Sequence, residues 1–260
     1  MWTIIRTELA KQKRKKMTLG IFILTTLIAL FAFERACSIS RGSSIMDSFG
    51  DLYTLAFKNL GTVYLPIVLG LFATSLFYDE HKNDTLKEIL IVPITKTQLY
   101  FSKISVMFMF SLGLCLYTFV LTVLGGFIAG GFPDLNITNI RQALILFAEG
   151  GALIPLAMLP VVFLAVVGKT SYLLPIGATL LYVFPVIIMS GPLMGIHPLA
   201  SALRIYGSAS PAASDMVRSL SQVSGGTTSV SEYGVCLISM VVIAAISSMF
   251  SVIALKKQNL

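Results

Sequence analysis

Apolar residues along this chain do not alternate with polar ones but gather in long, nearly unbroken runs. Six runs, at residues 17–33, 60–78, 104–131, 143–167, 171–196 and 234–255, hold 17, 19, 28, 25, 26 and 22 positions. A helix needs about 20 predominantly apolar residues to cross the hydrocarbon core of a bilayer. Barrel strands would instead appear as segments of about ten residues with alternating polarity. The pattern therefore predicts an all-α membrane protein, with six transmembrane helices forming one domain over residues 1–260. Before the first run, Trp2, Ile5 and Leu9 fall at i, i+3 and i+7 among Arg6, Lys11, Lys13, Arg14, Lys15 and Lys16. That arrangement predicts an amphipathic helix within residues 1–16, lying in the membrane interface.

Composition narrows the function. The 260 residues are 56% hydrophobic and 12% charged, whereas globular domains carry about a quarter charged residues. So few polar side chains cannot cover a soluble particle. The net charge of +7 flanks the apolar runs instead of forming one patch, which selects lipid headgroups over nucleic acid as its partner. Cys37, Cys115 and Cys236 form no CxxC pair, so neither a disulfide framework nor a metal site is expected. The first apolar run exceeds the length of a signal-peptide core, and residues 33–36 offer no small-x-small cleavage site; a retained anchor is expected.

Lysine and arginine set the orientation. With the N-terminus inside, the inner segments hold thirteen: Arg6, Lys11, Lys13, Arg14, Lys15, Lys16, Lys82, Lys87, Lys96, Lys103, Lys169, Lys256 and Lys257. The outer segments hold six: Arg35, Arg41, Lys58, Arg141, Arg204 and Arg218. This asymmetry places both termini in the cytoplasm. The longest outer loop, 197–233, contains a helix-like patch around residues 198–206.

Residues 79–102 carry the most information. Thr85 and Glu88 form a T-x-x-E capping box, so a helix is expected to start near Leu86. Leu86, Ile89 and Leu90 then share one face at i, i+3 and i+4, with Lys87 and Glu88 opposite. Pro93 ends the helix by disfavouring helical backbone at Val92. Thr95 and Gln98 make a second box that restarts a helix into the third span. A helix barely two turns long cannot hold alone in water; it must pack on its own bundle or on a cytoplasmic partner.

The run Glu80, Thr85-Leu86, Leu90, Pro93-Ile94 and Lys103 resembles the corresponding loop of ABC-2 type permeases, the membrane subunits of many bacterial exporters. Asp84 departs from the pattern, standing where a Gly usually precedes the Thr. The six-span layout, cytoplasmic termini and long loop before the last span are also similar. The resemblance implies that residues 85–92 form a coupling helix docking on a separate ATP-binding-cassette ATPase subunit, through Thr85, Leu86, Lys87, Ile89, Leu90 and Pro93, with Glu80 bracing the end of the second span. It further implies a second permease copy or a similar permease, ATP and Mg held by the partner chain with no cofactor on this one, and a bacterial plasma membrane. The short length is most similar to the bacitracin-resistance and lantibiotic-immunity branch, which expels amphipathic or peptide-like substrates.

Gly168-Lys169-Thr170 imitates the end of a phosphate-binding loop, but its first glycine position is Phe163, so no nucleotide site is expected. Glu149, six residues into the fourth run, is the one carboxylate expected well within a span, and ionisable groups there face bundle interiors or wet cavities. It is the candidate for a substrate path, against a competing interfacial position. Pro155, Pro160, Pro175, Pro185 and Pro192 should kink the fourth and fifth helices. Gly126/Gly130 and Gly191/Gly195 have the spacing of close helix packing. Only His81 and His197 are available for metal or serine chemistry, both outside the runs, so an intramembrane enzyme is disfavoured. An ion-coupled secondary transporter using Glu149 is the alternative to an exporter permease.

Overall fold

The computed structural model describes residues 2–40, 48–82, 95–129, 132–168, 172–193, 195–206 and 230–257. Among them, 92% are helical and none lies in a strand. In chain order the helices are α1 (Trp2–Lys13), α2 (Lys16–Ser40), α3 (Phe49–Asn59), a π-helical turn (Leu60–Tyr64), α4 (Leu65–Lys82), α5 (Lys96–Ala129), α6 (Ile137–Ala157), α7 (Leu159–Val167), α8 (Leu173–Leu193), α9 (Pro198–Tyr206) and α10 (Val230–Lys257). Five described stretches are long and apolar enough to cross a membrane: Lys16–Arg35, Phe49–Tyr78, Lys96–Ala129, Ile137–Ala157 and Tyr233–Lys257. Over the expected span at 171–196 lies α8, whose described apolar stretch, Leu173–Ile188, is shorter than the other five.

The second of these stretches begins with α3, eleven residues before the apolar run at residue 60, because Phe49, Leu52, Tyr53, Ala56 and Phe57 form a buried stripe at helical spacing. Ser48 starts it, its hydroxyl accepting from the Asp51 amide at 3.1 Å. Asp134, far along the chain, adds a second cap: its carboxylate accepts from the amides of Phe49 at 2.6 Å and Gly50 at 3.2 Å. A carboxylate there also suits the positive end of the helix dipole. The column α3–α4 forms the bundle's axis. Its apolar window is 78% buried, against 22% for the α2 window and 28% for the α10 window, so α2 and α10 present most of their apolar surface outward. Within the column the Leu65 amide reaches back to the Leu60 carbonyl, the wider spacing of a π turn. Tyr64, the last residue of that turn, donates its hydroxyl to the Ile21 carbonyl of α2 at 2.7 Å.

The fourth run is not one helix. It breaks at Met158 between Pro155 and Pro160. The Val161 amide turns to the Met158 carbonyl at 3.0 Å, which frees the Ala157 carbonyl, and Tyr182 of α8 donates to that oxygen at 2.7 Å. The break is thus satisfied by a partner on another helix, as a buried backbone carbonyl requires. His197 packs against Tyr182, ring centroids 4.3 Å apart and planes tilted by 42°, and burial lowers its pKa. The patch at 198–206 is helical but lies inside the bundle: Leu199, Ala200, Ser201, Ala202 and Leu203 are all buried.

Helix α1 corrects the amphipathic expectation in part. Ile5 and Leu9 pack on the core while Trp2 is 69% exposed, and the buried face includes the polar Glu8 and Gln12. Glu8 pairs with Lys11 at 3.0 Å.

Close approach of α4 and α8 depends on Gly70, where an added Cβ would fall 2.3 Å from Thr179 Oγ1 and 2.4 Å from its Cγ2. Thr179 is held by its bond to the Pro175 carbonyl at 2.7 Å. Gly70→Ala is expected to cost about 1–3 kcal/mol through overpacking and to lower the unfolding temperature of the detergent-solubilised chain. Gly113→Ala, where a Cβ meets nothing within 4 Å, should not.

Candidate functional site

The expected coupling segment joins the end of α4 to the start of α5. Thr85, Leu86, Lys87, Ile89, Leu90 and Pro93 lie outside the described residues, as does the side chain of Glu80, whose backbone belongs to the last turns of α4. The two anchors of the segment are described. At its far side the Thr95–Gln98 capping box is present in both directions: the Thr95 amide donates to Gln98 Oε1 at 3.2 Å, and the Gln98 amide to Thr95 Oγ1 at 3.3 Å.

Between the anchors the bundle is clamped. Lys103 of α5 is 1% exposed. Its ammonium donates to the Leu76 carbonyl of α4 and lies 5.0 Å from the centroid of the Phe77 ring, a cation over a π face. The α1–α2 junction reaches the same place, Lys15 donating to Ser75 Oγ at 2.8 Å. Tyr78 meets Tyr172, just before α8, with centroids 5.0 Å apart. Three parts of the fold thus converge on Ser75–Tyr78 of α4, one turn before that helix ends. Lys103 ties the end of α4 to the first turns of α5.

Glu149 lies farther along its helix than expected. Helix α6 starts at Ile137, not at residue 143, so Glu149 sits about 18 Å along it at 1.5 Å per residue. It is half-buried at the edge of the packed face. The next two residues are helix contacts: a Cβ on Gly150 would fall 2.2 Å from the Phe57 ring, and one on Gly151 3.1 Å from the Leu112 Cα. Arg141, the nearest cation in sequence, is exposed two turns away. The structure does not bring Glu149 to the α4–α5 clamp.

A second feature escaped the sequence. A cavity of about 520 Å³ lies beside the π turn. Lys58, Asn59, Thr62 and Val63 of the central column form one wall, with α2, α8 and α9 supplying Leu27, Phe31, Ile187 and Leu203. Thr62 Oγ1 is buried and has no hydrogen-bond partner among the described residues. Lys58 reads in the sequence as an ordinary outer-loop charge; only the earlier start of α3 puts it on a helix facing a cavity. Asp134 was equally hidden, since nothing local marks a cap for a helix so distant in sequence.

Compared with known proteins, residues 4–186 match the sequence profile of the family described as "ABC-2 family transporter protein". Over 100 residues the chain is 30% identical to a bacitracin transport permease protein of Bacillus licheniformis. That match covers 38% of this chain and 48% of the relative, so the similarity spans about half of that protein's length.

Proposed function

The chain belongs to the ABC-2 family of transporter proteins, and we propose that it is the permease subunit of an ATP-binding-cassette exporter. Family members are membrane components of transporters, not themselves catalysts. In the proposed assembly a separate ATPase subunit, carrying ATP and Mg, docks on the cytoplasmic segment 85–92. A second permease copy or a similar permease completes the path, and both termini face the cytoplasm of a bacterial cell. The substrate is amphipathic or peptide-like, a proposal that draws on the bacitracin permease relative, with Glu149 on its path. The observation supporting coupling is the convergence on Ser75–Tyr78: the most deeply buried helix column ends at the proposed docking segment and is tied there to α5 by Lys103.

An ion-coupled carrier has one observation in its favour, the depth of Glu149 in α6. Affinity purification of the tagged chain from its native membrane separates the two. The exporter reading expects an ATPase subunit to co-purify in comparable amount, with ATP hydrolysis in the complex. Transport driven by a proton gradient in vesicles holding this chain alone would reject it.

A further inference from the structure

The cavity beside the π turn has the chemistry of a selective site. Twenty residues separate Lys58 from Tyr78 along the central column, which is about 30 Å at 1.5 Å per residue, the thickness of the hydrocarbon core. With Tyr78 at one boundary, Lys58 stands at the other, at headgroup level. Its side chain is half-buried and lines the cavity. Next to it are the Asn59 amide and the unpartnered Thr62 hydroxyl. A buried hydroxyl left without a partner is costly, and a ligand oxygen at this level would satisfy it. The remaining lining is apolar, and its rim is open: Leu27, Phe31, Val63 and Ile187 are among the exposed large apolar residues. Helices whose apolar surface faces outward in a membrane protein meet lipid, so the opening is lateral. The volume lies within the roughly 300–1,000 Å³ of small-molecule sites.

We infer that this cavity binds an anionic amphiphile from the bilayer, with a phosphate-type head on Lys58, Asn59 and Thr62 and an apolar chain along Leu27, Phe31 and Val63. The charge excludes a cationic head, because a second cation beside Lys58 would be repelled in a partly desolvated site. Resting on the transport reading above, the inference gives that substrate class a place to enter from the membrane, through the gap between α2 and α8.

The test uses the full purified chain in detergent, without ATP, and measures retention of phosphatidylglycerol and of phosphatidylcholine with identical acyl chains by native mass spectrometry. Phosphatidylglycerol should be retained preferentially. Lys58→Gln should weaken its binding at least tenfold, while leaving phosphatidylcholine unchanged. Thr62→Val should weaken it less, and Val63→Trp, which fills the cavity, should exclude both lipids. Size-exclusion profiles identify any variant that fails to fold, and Lys58→Gln alone suffices to decide. Inorganic phosphate at matched concentration should not compete; if it displaces the lipid, the site reads a free anion and the amphiphile is wrong. Equal retention of the two lipids, or phosphatidylglycerol binding indifferent to Lys58→Gln, overturns the inference. So does a disulfide between copies carrying cysteine at position 63, which would make this face a contact between two permeases. Because no ATP is used, loss of lipid selectivity with the ATPase still co-purifying rejects only this site. Lipid selectivity with no ATPase rejects only the exporter reading.

Discussion

Leu90→Asp is expected to abolish recovery of the ATPase subunit with the permease and to remove stimulated ATP hydrolysis, while the chain still inserts in the membrane. The spacing of Leu86, Ile89 and Leu90 in the sequence predicts one apolar face on a segment too short to be stable alone. If that face enters a groove of the partner, the substitution buries an unpaired charge. Such a charge costs several kcal/mol, and at about 1.4 kcal/mol per tenfold, 3 kcal/mol already lowers association more than a hundredfold. Lys87→Ala, on the opposite face, should weaken association only slightly. A Leu90→Asp complex that purifies intact and still exports would remove the docking assignment.

The second large effect concerns Lys103. Its buried ammonium joins the Leu76 carbonyl and the Phe77 face, and under the proposed coupling it is expected to pass movement between α4 and α5. Lys103→Met keeps the apolar stem and removes the charge. Loss of a hydrogen bond to a charged group costs about 1.5–3 kcal/mol, and unfolding temperature should fall accordingly. The diagnostic quantity is substrate exported per ATP hydrolysed. It should drop about tenfold or more in Lys103→Met, with the ATPase still bound and still turning over. A purely structural lysine would lower both activities in proportion and leave that ratio unchanged.

Local signals were legible where their cause is local. The Thr95–Gln98 box was readable from spacing and is present with both bonds. Continuous apolar runs located the helices. The start of α3 was missed because Asp51 and Lys58 interrupt the run, although Phe49, Leu52, Tyr53, Ala56 and Phe57 keep helical period; counting continuity alone hid a stripe that periodicity would have revealed. The break at Met158 was half visible. Pro155 and Pro160 predict a kink, but a complete break needs the Tyr182 hydroxyl of α8 to donate to the freed Ala157 carbonyl, and no sequence pattern pairs those positions. The Asp134 cap on α3 and the cavity at Lys58 depend on tertiary contacts of the same kind. In the sequence Lys15 and Lys103 are positive charges near span ends, and Lys103 also closes the ABC-2-like run; their bonds to Ser75 and Leu76 appear only once the helices are assembled.

Photo-crosslinking from a benzoylphenylalanine placed at position 90 addresses docking most directly, using the complete assembly in native membranes. The expected product is an adduct between this chain and the ATPase subunit, absent when the same group is placed at exposed Ile137 on the opposite end of the bundle. An adduct with the ATPase from position 137 but none from position 90, or no ATPase adduct from either, contradicts the account.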